Sequence, residues 1–243
     1  MSEHEFEIVR EFEVEQSPEQ VWAAITTGTA GWLWPMEYEP KEGGAAPFGG
    51  VVAVWDPPHR LVARAYDLEG VPQTFNQLDH TVEPGPDGGS RVRYVHSGIF
   101  VENWEDQYDG ADKHTDFYLH TLREYLRHFA GRPAAFATAD GPAAAGAGDA
   151  LAVAERALRL PADAAAGDTV SVLLPGAAAQ APAVLDFRTD DFVGLRTPDA
   201  MYRIFARNNF GAVLGLSIHD FAPGADSARL DRDAREWLTA TYA

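Results

Sequence analysis

The chain has no cysteine among its 243 residues. Disulfides, thiolate nucleophiles and zinc–thiolate sites are therefore excluded. Cations are scarce as well: 19 Lys and Arg stand against 37 Asp and Glu, a formal net charge of −18 with a pI near 4.7. Such a surface repels phosphate backbones and anionic lipid, which argues against nucleic acid and membranes as partners. No apolar run approaches the roughly 18 residues that span a bilayer. A nucleophile elbow, a Walker loop and a Gly-rich dinucleotide turn are also missing. The eight histidines include no pair at four-residue helical spacing, and His114 and His120 are six apart. The acidic run Glu102–Asp116 (ENWEDQYDGADKHTD) misses the EF-hand pattern. It reads as a solvated loop whose carboxylates favour the start of a following helix, placed where it could also close over a cavity. Neither a metal nor a cofactor is expected. The N-terminus, Met1-Ser2-Glu3-His4-Glu5, is acidic and turns directly into a strand rather than a secretory signal, so the expected location is the cytoplasm.

With 46% hydrophobic residues the chain has ample material for a core. Phe6, Ile8, Phe12 and Val14 share one parity and Glu5, Glu7, Glu11, Glu13 and Glu15 the other, the period of a half-buried strand. Arg10 falls on the apolar parity, which fits a bulge, a side chain snorkelling to the sheet edge, or a charge inside a cavity. Ser17-Pro18-Glu19-Gln20 carries the signature of a capped helix start, with Val21, Trp22 and Ile25 as its apolar side. Glu37–Glu42 reads as a weak strand. In VVAVWDPPHRLVARAY, two apolar runs flank Asp56-Pro57-Pro58-His59, which predicts a hairpin. Strands are predicted at Thr74–Val82 and Arg91–Val101. A long helix is predicted over Asp112–Phe129, ended by Gly131-Arg132-Pro133.

Ala134–Gly148 is rich in Ala and Gly and reads as a linker. Beyond it, Ala150–Leu158 suits a helix. Val170–Leu174, Val184–Phe187, Phe192–Arg196, Met201–Ala206 and Val213–Phe221 suit strands, and Leu230–Tyr242 a closing helix. The expectation is α+β: a helix-grip domain over 1–133, in which a curved antiparallel sheet holds a long C-terminal helix, then a linker over 134–148 and a smaller α+β domain over 149–243. That last part is either a shortened copy of the first or an unrelated extension.

SPEQVWAAIT after the first strand, the WDPPHRLVARAY hairpin, and GGSRVRYVHSGIF followed by a helix ending LREYLRHFAGRP resemble the SRPBCC superfamily, also called START-like or birch-pollen-allergen-like. The branch most similar is that of the heat-shock ATPase activator. VLDFRTDDFVGLRTPDAMYRIFARN resembles actinobacterial proteins that carry this domain plus an extension, some of them from polyketide and enediyne antibiotic pathways. The resemblance implies a cavity between sheet and long helix that holds lipids, polyketides or other apolar molecules, and in a minority of members supports catalysis. Fold alone does not choose among these.

The partner expected is therefore a hydrophobic small molecule. A cavity needs apolar and aromatic walls with a few polar groups that orient the ligand. Tyr94, His96 and Phe100 share one face of a strand, and His114 and Tyr118 lie on the helix opposite. Arg10, Trp32, Trp34, Trp55, Phe75 and Trp104 complete the candidate lining. Each has a plainer reading as ordinary core. The functions that remain are a non-enzymatic binder, a co-chaperone-like interaction module, a cyclase using the cavity, and a self-resistance protein with Gly98 or Gly110 as hydrogen donor.

Overall fold

The computed structural model describes residues 4–66, 73–100 and 104–243, which fall into two compact units, 1–131 and 132–243. The first begins with β1 (His4–Val14), α1 (Pro18–Thr26), the two-residue β2 (Ala45–Ala46), β3 (Gly50–Asp56) and β4 (Arg60–Tyr66). It continues with β5 (Gln73–Pro84), β6 (Ser90–Phe100) and the 26-residue α2 (Trp104–Phe129). The strands form one antiparallel sheet in the order β1-β6-β5-β4-β3-β2. Segment 37–42 is irregular, and the only pairing nearby is that of β2 with β3. Val101, Glu102 and Asn103 lie outside the described residues.

Local chemistry accounts for the helix starts. The Ser17 hydroxyl oxygen accepts from the Gln20 backbone N–H, and the Gln20 side-chain oxygen accepts from the Ser17 backbone N–H, so both donors are satisfied. The acidic segment expected to be a loop is helix from Trp104 onward, eight residues earlier than predicted. Glu105 and Asp106 occupy the first turn, where carboxylates face the positive end of the dipole. The loop reading gave too much weight to charge and to Gly110, which α2 runs straight through.

Register fixes which residues share a face. Arg10, Tyr94, His80 and Leu61 are mutually opposite on β1, β6, β5 and β4. The next row is Ile8, His96, Leu78 and Ala63, and the third is Phe6, Gly98, Asn76 and Ala65. This is the inward face, because Arg10 reaches Asp112 and Asp116 of α2. The other face carries cross-strand ion pairs, Glu13 with Arg91, Glu11 with Arg93, and Arg60 with Asp79. On α2, Phe117, Leu122, Leu126 and Phe129 are buried. Gly28 and Gly31 lie directly against Tyr125 of α2, and a Cβ on Gly31 would overlap that ring. Only glycine lets the connector pass so close.

The second unit contains β7 (Ala135–Asp140), α3 (Ala150–Ala157), β8 (Thr169–Val172), β9 (Ala181–Arg188) and β10 (Phe192–Arg196). β11 (Ala200–Phe205), β12 (Gly215–Asp220) and α4 (Ser227–Thr241) complete it. The linker reading of 134–148 is corrected here: β7 is an edge strand paired with β12 along its whole length. Alanine suits it because Ala137 and Ala139 pack into the core and need little volume. The sheet order is β7-β12-β11-β10-β9-β8, the same permutation as in the first unit. In both units a helix follows the first strand and another closes the unit. Its sheet also has six strands, and its closing helix α4 has 15 residues against 26 in α2.

Among the described residues no helix is long and apolar enough to cross a membrane.

Candidate functional site between the inward sheet face and the long helix of the first unit

The site is built on the middle rows of the inward face. His80 on β5 and Tyr94 on β6 stand side by side, ring centroids 4.9 Å apart and planes 61° apart. His80 is only 5% exposed, and neither of its ring nitrogens has a hydrogen-bond partner. Burial pushes its pKa down to about 4, although Asp79 pulls the other way. Burial raises the Tyr94 phenol well above its usual range, and the neighbouring Tyr38 and Tyr118 phenols add to the shift. Tyr38 is itself pushed up to about 12 by burial, and its hydroxyl lies 3.8 Å from the Met36 sulfur.

One row further along, His96 Nε2 donates to Asn76 Oδ1 at 2.7 Å. Asn76 sits opposite Gly98, whose missing side chain leaves room for that diagonal bond. Phe6 packs its ring at 84° to His96, and burial lowers the His96 pKa to about 4. Both imidazoles are therefore neutral at physiological pH.

α2 and the connector supply the facing walls. Tyr118 meets Trp34 edge to face at 5.7 Å and His114 at 5.9 Å. His114 Nδ1 lies 2.7 Å from the Gly110 carbonyl one turn back. The buried Trp34 Nε1 has no hydrogen-bond partner. The structure thus brings Trp34, Tyr94, His96, His114 and Tyr118 together, along with Tyr38, Asn76 and His80, which the sequence reading missed. The signal was present for two of these: Asn76, Leu78, His80 and Val82 alternate on β5 as Val92, Tyr94 and His96 do on β6.

The remaining candidates are engaged in contacts of their own. Trp32 is core, its Nε1 donating to the Ala24 carbonyl of α1 at 2.9 Å. Trp55 packs against Trp22 of α1 at 5.0 Å. Phe75 falls on the opposite parity and packs on Tyr66, because the register shift between Gln73 and Phe75 sets its face. Phe100 stacks on Phe6 at 4.3 Å in a small cluster with Ile8, Tyr108 and Ala111. Arg10 is no bulge, since β1 pairs with β6 without a register break. Its guanidinium is held by Asp112 at 2.8 Å and Asp116 at 2.6 Å, closing the sheet edge onto α2. Those carboxylates raise its pKa further, against a smaller effect of burial. The Trp104 side chain lies outside the described residues.

Among the described residues no group of three or more His, Asp or Glu is placed to hold a metal ion. A separate groove between the Pro86–Gly89 turn and α2 is lined by Glu13, Glu15, Asp87, Arg123 and Arg127. Charges of both signs face it, so it favours neither sign of ligand.

Three solved structures illustrate the likeness. Protein MLL2253 from Mesorhizobium loti is 22% identical, covering 51% of this chain and 98% of its own, with a TM-score of 0.43. CalU16 from Micromonospora echinospora is 15% identical, covering 52% and 87%, with a TM-score of 0.40. DynU16, a protein of the dynemicin biosynthetic locus, is 14% identical and covers 97% of this chain and 95% of its own, with a TM-score of 0.42. A search of the curated proteins finds no match. Residues 15–127 match the family model described as Activator of Hsp90 ATPase homolog 1-like protein, from the capped start of α1 through most of α2, so it is to that family that the first unit is similar.

Proposed function

We propose that the first unit binds an apolar, aromatic small molecule, polyketide-like or lipid-like in class, between the inward face of β4–β6 and α2, and releases it unchanged. One observation carries this reading. His80 is buried on the face that looks toward α2, with both ring nitrogens unpartnered, beside Tyr94. Leaving a polar group buried without a bond costs about 1–3 kcal/mol, and a fold that needed only packing would place an aliphatic residue there. The second unit does so. Its inward rows read Ala137, Ile218, Tyr202, Leu195 and Ala139, Leu216, Ile204, Val193, closed by Ala154, Leu158, Ala234 and Leu238. The face of the second sheet that packs with α3 and α4 is thus almost wholly aliphatic, although its other face buries His219 and the Arg203–Asp186 ion pair, and the unpartnered His80 on the matching face of the first unit supports a ligand role. Aromatic rings, one thioether and a few uncharged polar tips are the composition of an apolar binding site.

The test uses intrinsic fluorescence, because five of the six tryptophans belong to the first unit. Titration of the full chain with a panel of fused-ring aromatic compounds gives saturable quenching, and Tyr94→Leu weakens it by about tenfold. Each compound is recovered intact after prolonged incubation. No change in signal across the panel overturns the reading.

A further inference from the structure

The site also states which kind of molecule it accepts. We infer that its ligand is an uncharged aromatic compound bearing a hydroxyl or carbonyl oxygen, held by a hydrogen bond to His80 and excluded when the same ring carries a carboxylate. This rests on the ligand-binding reading above and narrows it to a substrate class.

Three observations lead there. First, the unmet hydrogen-bonding capacity of the site is specific. Neutral His80 has one N–H donor and one acceptor nitrogen, and the buried Trp34 Nε1 is a donor. A phenolic hydroxyl can both give and receive, and a ketone or quinone oxygen can receive, so either repairs what the protein leaves unpaired. Second, the inward positions of β4, β5 and β6 hold Leu61, Ala63, Ala65, Asn76, Leu78, His80, Val82, Val92, Tyr94, His96 and Gly98, with no carboxylate and no cation among them. Arg10, the cation on the same row, is already bound by two carboxylates. A buried anion would have no counter-ion, and an isolated buried charge is far more costly than a buried hydroxyl. The net charge of −18 acts in the same direction on approach. Third, aromatic rings stand on the β6 side of His80 and on α2, with Tyr94 beside His80 on the sheet and Trp34 against Tyr118, while Leu61 faces His80 from β4. Flat rings present their edges and faces to such walls with favourable quadrupole geometry.

Three probes of the same ring size separate the possibilities: 2-naphthol, naphthalene and 2-naphthoate, each titrated calorimetrically into the full chain and into His80→Leu. The expected result is that 2-naphthol binds at least about tenfold more tightly than naphthalene and naphthoate, and that His80→Leu brings 2-naphthol down to the naphthalene level. Circular dichroism and the urea midpoint of the variant establish that it is folded. Should that variant not fold, His80→Asn, which keeps a polar tip but moves it, is expected to weaken 2-naphthol while sparing naphthalene. Equal affinity for 2-naphthol and naphthalene overturns the oxygen-specific inference and leaves the apolar site standing. Binding of naphthoate as tight as 2-naphthol overturns the exclusion of charge. Absence of binding by all three overturns both this inference and the function from which it starts.

Discussion

His80 gives up its hydration on folding and receives no hydrogen bond in return, so its protonation is coupled to stability. Its pKa is about 4 in the folded protein. In the unfolded chain it returns to about 6.5. Between those values the unfolded state holds more protons, so stability falls as pH drops through that window and is flat below it. The expected outcome is that His80→Leu loses less stability than the parent between pH 7 and pH 4.5, by about 2 kcal/mol, and at pH 7 is at least as stable. Urea titrations followed by tryptophan fluorescence at both pH values check this. A residual slope stays in the variant because His96 shifts in the same direction. A parallel loss in both proteins would mean that His80 is solvated. At this scale the sequence told less than its patterns promised. Tyr94, His96 and Tyr118 could be placed on the right faces from period alone. Phe75 could not, because a register shift near Gln73 sets its face. Trp32 and Trp55 could not either: an aromatic ring on an apolar parity serves α1 as well as it serves a pocket, and only the Ala24 carbonyl and the Trp22 ring decide.

At the level of elements, legibility followed length and strict period. β1, with glutamates on one parity and apolar residues on the other, and the amphipathic core of α2 were readable because burial of one side dominates their energetics. Ala134–Gly148 was not, because alanine carries little information about strand or loop and composition alone suggested a tether. What holds β7 is pairing from a distance, Ala135–Asp140 against Gly215–Asp220. Hydrogen exchange distinguishes the two descriptions. A tether exchanges all its amides within seconds, whereas an edge strand protects the amides that bond inward and leaves the outward ones open. The expected outcome is that peptides spanning 135–140 retain deuterium-resistant amides, about half of the set, on the same timescale as β12. Complete early exchange would remove β7 from the sheet.

For the whole molecule, the instructive fact is that one strand permutation is filled in two ways within one chain. Topology is therefore separable from chemistry: the sheet order requires inward volume, not the side chains that provide it. In the second unit the volume is met by a cluster of Leu, Ile, Val and Ala drawn from sheet and helices together. A close-packed aliphatic interior of that kind leaves few voids larger than a water molecule. In the first, aromatic rings and neutral imidazoles occupy the matching face, with polar atoms that packing leaves unmet. The sequence showed the recurrence of strands followed by a helix but not this division, since the inward rows become visible only once register is known. Two sheets of one strand order, only one with a neutral, unpartnered imidazole on its inward face, make stoichiometry diagnostic. Calorimetric titration of the full chain with 2-naphthol is expected to saturate at about one molecule per chain, and His80→Leu to weaken that whole transition to the naphthalene level rather than leave half of it unchanged. A stoichiometry near two, or a transition that persists at half amplitude in the variant, would place a second site in the other unit and contradict the solid interior assigned to it.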